Sequence, residues 1–284
     1  MNPNPTYKTL AHNRDLIKRN PRLRSAIDEH YKINENIYDK QPLFYKTILQ
    51  EPRFNIVLSV CCLIFGAQAT QVSDIKELCM QYGIASSNSV IAVITLLRAT
   101  NRITTVRDIK DRRKTIIKPT KKGLEELKRY MSCAFIPFGT LYPNSGINLK
   151  LLDNDTLRCN FFRRVSDYLF SGMTFKKTLP EVEIFIDRDG GRMIMLYIYL
   201  EAIKHKTKNI CLIDYSASFF AKKFYVSRIH VNRIIKEAQG LGYLELCKDK
   251  QLAVHSSFIE LVENYAGTYF SYVAHYLDIS PREG

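Results

Sequence analysis

Tyr225-Val226-Ser227-Arg228-Ile229-His230-Val231-Asn232-Arg233-Ile234-Ile235-Lys236 is the stretch on which the fold turns. Val226, Val231, Ile234 and Ile235 recur at helical spacing, so one side of this segment locks onto its own domain. Ser227, Arg228, His230, Asn232, Arg233 and Lys236 are then left facing outward. Arginine can bond guanine through two donors and asparagine can do the same with adenine, while serine and lysine suit phosphates. Just upstream, Ser216 has the chemistry to cap a short helix reaching residue 224, and Val226-Ser227 makes the turn. Just downstream, Gly242 closes the main helix, and residues 243–246 and 252–255 form a short hairpin.

The same order of elements occurs earlier in the chain. Residues 54–67 read as an apolar core helix. A short amphipathic helix follows, capped by Ser73, with Ile75, Leu78 and Cys79 inward and Gly83 at its end. Ser86 or Ser87 caps the next helix, which buries Val90, Val93, Ile94 and Leu97 and presents Ser86, Ser87, Asn88 and Ser89 at its start. Two β-branched stretches, 103–106 and 115–118, flank a tip that carries Arg107, Lys110, Arg112, Arg113 and Lys114. Thr120 then opens a helix over 121–131. Corresponding points in the two passages are 138–143 residues apart: the apolar helices at 55 and 193, Ser73 and Ser216, Ile84 and Val226.

Helix, helix, turn, helix and hairpin is the order of a winged helix-turn-helix. The expected fold is therefore mainly α with small β-hairpin wings, with two winged helix-turn-helix domains joined by a helical bundle. The expected divisions are an N-terminal helical segment (1–53), a first unit (54–131), a linker with helices (132–190), a second unit (191–256) and a C-terminal packing helix (257–284). Pro137, Gly139, Pro143, Asn144, Ser145 and Gly146 suggest turn chemistry across 132–153. A helix over 155–172 should bury Leu157, Phe161, Phe162, Val165 and Leu169. The aromatic stripe of the last helix (Tyr265, Tyr269, Phe270, Tyr272, Tyr276) reads as packing surface.

Bulk properties agree with a polyanion-binding reading. Forty-two Lys and Arg against 28 Asp and Glu leave a net charge of +14, a long-range attraction for nucleic acid or an anionic surface. No run of about 18 apolar residues exists, so no membrane partner is expected, and Met1-Asn2-Pro3-Asn4-Pro5 does not begin a secretory signal. Seven cysteines without a Cys-x-x-Cys pair suggest a reducing compartment, hence a cytoplasmic protein. The six histidines lie at no metal-ligand spacing, so neither metal nor cofactor is expected. There is no phosphate-cradling glycine loop, no Gly-x-Ser-x-Gly and no His-Glu-x-x-His, which speaks against an enzyme. The Asp187, Asp189, Gly190-Gly191 turn reads as a helix boundary.

The segment from Ser216 to Leu244 resembles the helix-turn-helix of bacterial winged-helix repressors. Asp111-Arg112-Arg113-Lys114 followed by Ile116-Ile117-Lys118-Pro119-Thr120-Lys121-Lys122-Gly123 resembles the wing and following helix of MarR-type regulators. The resemblance covers 54–131 and 191–277. It implies a double-stranded-DNA-binding transcription regulator, with Arg112 at the minor groove or a phosphate and Arg113 and Asp111 ordering the wing. It also implies a single-chain pseudo-dimer whose flanking helices build a central bundle, and room for a small-molecule effector that no residue identifies. The chain departs from the pattern in three places. Tyr225 stands where those repressors carry glycine, the first reading helix has no Arg or Lys before Arg98, and the second wing (Cys247-Lys248-Asp249-Lys250-Gln251) is short and lacks the Asp-Arg-Arg tip. The first unit is thus expected to work through its wing and the second through its helix.

Two rival readings use the same elements. A plasmid-type replication initiator also places two winged helices in one basic chain. A winged-helix protein-interaction module would present a more apolar face than Arg228 and Arg233 provide.

Overall fold

The computed structural model describes residues 5–66, 70–108, 111, 114–147, 153–204 and 210–281. It is mainly helical with two small antiparallel sheets. Helices α1 (Pro5–Arg19), α2 (Leu23–Lys40) and α3 (Pro42–Ile48) come first, with Pro42 at the start of α3, where its missing N–H costs nothing. Next come α4 (Glu51–Gly66), α5 (Val72–Gln81), α6 (Ser87–Ala99), β1 (Ile103–Arg107), β2 (Thr115–Pro119) and α7 (Lys121–Leu141). The second half contains α8 (Asp155–Leu169), α9 (Phe175–Thr178), α10 (Glu183–Ile186), α11 (Gly191–Lys204), β3 (Ile210–Asp214), α12 (Ala217–Lys223) and α13 (Arg228–Gly240). It closes with β4 (Leu244–Leu246), β5 (Gln251–His255) and α14 (Ser256–Leu277). No single described helix is long and apolar enough to cross a membrane.

The two halves match at the positions where backbone chemistry is most demanding. Ser86 and Ser227 are both N-caps, each accepting a bond from the N–H three residues on, at 3.3 and 3.1 Å. Gly83 and Tyr225 are left-handed in the turn before those helices, at φ +63° and +53°. Asn101 and Gly242 are left-handed just beyond them, at +57° and +71°. In the second half the sheet order is β3-β5-β4. In the first half the strand corresponding to β3 shrinks to a single bridge, Gln71 with Ile116, supported by Ile117 N–H donating to Thr70 O at 2.8 Å.

Thr120 and Gly123 show why a Thr-x-x-Gly stretch opens α7. The Thr120 hydroxyl accepts from Gly123 N at 3.0 Å and donates to Asn101 O at 2.7 Å. A Cβ on Gly123 would lie 2.0 Å from the Arg102 carbonyl oxygen, so only glycine lets the helix approach the first strand.

Three expectations about these elements need correction. Residues 132–141 are not linker, because α7 runs through Pro137 to Leu141. Pro137 has no N–H for the Cys133 carbonyl, and His30 from α2 donates to that oxygen instead, at 2.7 Å. Ser73 does not cap α5; Gln71 does, in a reciprocal box with Asp74. Leu157 is 41% exposed, while Phe162, Val165 and Leu169 carry the buried face of α8.

Bundle helices interlock the halves. α2 lies along α7, α1 along α14 and α4 along α8. α2, which precedes the first set of elements, reaches the second: Tyr38 hydroxyl donates to Phe224 O at 2.7 Å and Lys223 pairs with Glu35 at 2.6 Å. Reciprocally α8, which precedes the second set, packs on the first, with Phe162 stacked on Phe65 at 5.1 Å. Arg192 at the start of α11 bonds Glu51 at the start of α4 at 3.3 Å, and both are buried. The α14 aromatics serve as packing: Tyr265, Phe270 and Tyr272 are buried. The apolar elements α4, α5, α6, β1 and β2 keep a core of their own around Ile56, Ile75, Val90, Val93, Ile94 and Ile117.

Candidate nucleic-acid interface

α13 owes its position to Val231, Ile234, Ile235 and Ala238, all buried. The face opposite carries Arg228, Asn232, Arg233 and Lys236, all exposed. Its start is anchored by Ser227, whose oxygen is committed to the cap, and by the turn before it. Tyr225 is held in its left-handed conformation from outside its own unit. Lys46 Nζ donates to the Tyr225 carbonyl at 2.8 Å, and the Tyr38 ring lies 6.4 Å from its ring. A side chain in this region costs about 1–2 kcal/mol, and these contacts from α2 and α3 offset it.

His230 does not face outward as its place in the sequence suggests. It is half-buried, and its Nε2 lies 2.9 Å from the Asp189 carbonyl oxygen in the turn between α10 and α11. Its Nδ1 sits 3.2 Å from Arg233 Nη2. Burial lowers the imidazole pKa below its ordinary value, the Asp189 hydrogen bond works the other way, and the Arg233 and Arg188 charges lower it further. Asn232 is exposed and accepts from the Tyr215 hydroxyl at 3.1 Å, which orients its amide.

Ile229 is the surface residue that sequence reasoning missed. It is 82% exposed, the most exposed large apolar side chain among the described residues. With Asn232, Arg233 and Lys236 it forms an i, i+3, i+4, i+7 stripe along the outer face. Helical geometry carried the signal, since position 229 lies off the 231, 234, 235, 238 side.

The corresponding helix of the first half, α6, is placed by Val90, Val93, Ile94 and Leu97. Asn88 and Ser89 are exposed, Ser87 is half-buried, and Ser86 is engaged as the cap. Ile91, Ala92 and Thr95 continue the outer face, and Arg98 is its first cation. Arg107 and Lys114 are exposed at the ends of β1 and β2. Lys114 N–H donates to Asp111 O and Asp108 N–H to Lys114 O, both at 2.9 Å. Lys110, Arg112 and Arg113 lie outside the described residues. The second hairpin is tight: Cys247 N–H donates to Gln251 O at 2.9 Å, with Asp249 and Lys250 left-handed between them.

The Asp187–Gly191 turn is a helix boundary, as the sequence suggests: it caps α10 and starts α11. Gln50 Nε2 donates to Asp189 Oδ1 at 2.7 Å, and Arg53 lies 3.8 Å from the same oxygen. Arg188 pairs with Glu237 of α13 at 2.9 Å. No protein-family model matches the chain, and no curated protein matches it either.

Proposed function

We propose that the chain is a sequence-specific, double-stranded-DNA-binding transcription regulator, built from two non-identical winged helix-turn-helix units in one polypeptide. The single observation that carries this reading is α13. One face is locked in the core while the other presents Arg228, Asn232, Arg233 and Lys236 with no exposed carboxylate among them. Such a helix fits the major groove, where arginine and asparagine discriminate base edges. The α11-β3-α12-α13-β4-β5 order and the β3-β5-β4 sheet support the winged form of the motif. The net charge of +14 supplies attraction to phosphates.

In this reading the interlocked bundle makes the chain its own dimer, and because the two reading helices differ in chemistry the target need not be palindromic. Small-molecule control belongs to the same proposal. An apolar cavity of about 100 Å³ lined by Phe54, Tyr130, Phe162, Tyr269 and Tyr272 lies where α4, α7, α8 and α14 meet.

The test is selection from a random-sequence duplex pool at several salt concentrations, followed by sequencing of the bound fraction. Affinity that falls steeply with salt while a defined motif is enriched is the expected result. Arg112→Ala should weaken binding to all sequences, and Arg228→Ala should relax the motif. Salt-sensitive binding with no enrichment would replace this reading with an architectural one, and absence of binding would remove it.

A further inference from the structure

We infer that His230 is a positioning residue, setting the Arg233 guanidinium for base contact and taking its own orientation from the other half of the chain through Asp189. This rests on the DNA-reading role of α13.

A neutral imidazole carries one proton and one free lone pair. The Asp189 carbonyl, 2.9 Å from Nε2, can only accept, so the ring proton sits on Nε2. Nδ1 is then a lone pair, and Arg233 Nη2 at 3.2 Å donates to it. The half-buried site favours this uncharged ring, since burial holds the imidazole below its ordinary pKa. Both ring nitrogens are thus occupied by the protein, and His230 has no free group for a base. Arg233 is different: one of its five N–H groups is used, and the exposed remainder can engage the O6 and N7 of a guanine. A guanidinium already held in place loses less rotamer freedom on binding.

Asp189 is itself held from outside the second unit. Its carboxylate takes the amide of Gln50, just before α4, at 2.7 Å, with Arg53 of the first turn of α4 at 3.8 Å. The next residue, Gly190, is left-handed, and a Cβ there would stand 3.2 Å from the Tyr38 hydroxyl of α2, so the turn is seated against the first half. Gln50, Asp189, His230 and Arg233 therefore form one hydrogen-bonded relay from the first half to the outer face of α13.

Two isosteric variants separate the ends of the relay. His230→Gln places an amide near Nε2, keeping the Asp189 contact and losing the acceptor for Arg233. His230→Asn places an oxygen near Nδ1, keeping the acceptor and losing Asp189. Duplex selection on the full chain should show Arg233→Ala and His230→Gln each losing about tenfold of the guanine preference at one base pair. His230→Asn should retain most of it, and all three should keep the wild-type salt dependence. Gln50→Ala should lower the same preference no further than His230→Asn does, with no additional loss when combined with His230→Gln. Nitrogen-15 NMR of the free protein should show a neutral ring protonated at Nε2 at pH 7.

Equal, full preference in both His230 variants would overturn the proposal, as would a ring protonated at Nδ1. An unchanged motif in Arg233→Ala alongside a relaxed one in Arg228→Ala would overturn it while leaving the DNA reading intact. If wild type enriches no motif, the DNA reading fails and this proposal fails with it.

Discussion

His30 Nδ1 donates to the carbonyl oxygen of Cys133 at 2.7 Å, in the position where an uninterrupted helix would have used the N–H of residue 137. Because that residue is proline, the bond is what lets α7 continue into the bundle without an orphaned buried carbonyl.

A pH dependence follows. Burial, with a contribution from the Arg192 charge, lowers the His30 pKa from 6.5 to about 4, against the opposing pull of the Cys133 carbonyl. The unfolded chain takes up a proton between these values and the folded one refuses it. The contribution to stability is therefore complete above about pH 6.5 and declines as pH falls toward 4, by on the order of 3 kcal/mol. Urea unfolding at pH 7 and pH 4.5 should show a steeper loss for wild type than for His30→Gln, which keeps a donor but does not titrate. Equal slopes would mean that the histidine ionises freely in the folded state.

Gly123 and Gly139 lie in the same helix and should respond in opposite directions to alanine. Gly123→Ala forces a Cβ to 2.0 Å from a backbone oxygen and should cost about 2–3 kcal/mol. Gly139 has nothing within 4 Å of its added Cβ, so Gly139→Ala should gain up to about 1 kcal/mol from helix propensity alone. Thermal melts of the two variants provide the comparison; a stabilised Gly123→Ala would contradict the close approach of α7 to Arg102.

Glu51 and Arg192 tie the starts of α4 and α11, and removing one charge strands the other. Arg192→Met should destabilise by about 3–5 kcal/mol, whereas combining it with Glu51→Leu should recover most of the loss. Chemical denaturation of the single and double variants decides it. A double variant as unstable as the single one would mean that Arg192 acts by packing on Phe54, 5.5 Å away, instead.

Ile229 is 82% exposed, so Ile229→Ser should leave stability within about 0.5 kcal/mol of wild type. If the stripe enters a major groove, the natural partner of this side chain is the C5-methyl of thymine. Selected duplexes should then lose a thymine preference at one position and keep the guanine preference next to it. An unaltered motif would place Ile229 outside the contact.

Much of the fold is legible along the chain because the decisive forces are local. The apolar spacing of 231, 234 and 235, the serine caps at 86 and 216, and the glycines at 83 and 242 act within a few residues of themselves. The mainly helical order with small hairpins follows from these, and the repetition of that order exposes the two halves. The outward cations of α13 are legible for the same reason, since the sidedness of a helix is a property of its own sequence.

What the sequence by itself determined is therefore the main helices and hairpins of the two repeated sets and, for most of them, the face they bury; the run of α7 to Leu141 and the short helices α9 and α10 were not legible in it. Only the tertiary structure decided which element supplies a missing partner. Proline at 137 signals a helix end until His30 of α2, 103 residues before Cys133, satisfies the Cys133 carbonyl left behind. Tyr225 signals strain until Lys46 and Tyr38 support its turn, and His230 signals a surface contact until Asp189 turns it inward. The physical reason is common to all three: an unpaired polar group or a disfavoured backbone angle carries its cost locally, while the group that offsets it can come from any part of the chain that folding brings alongside.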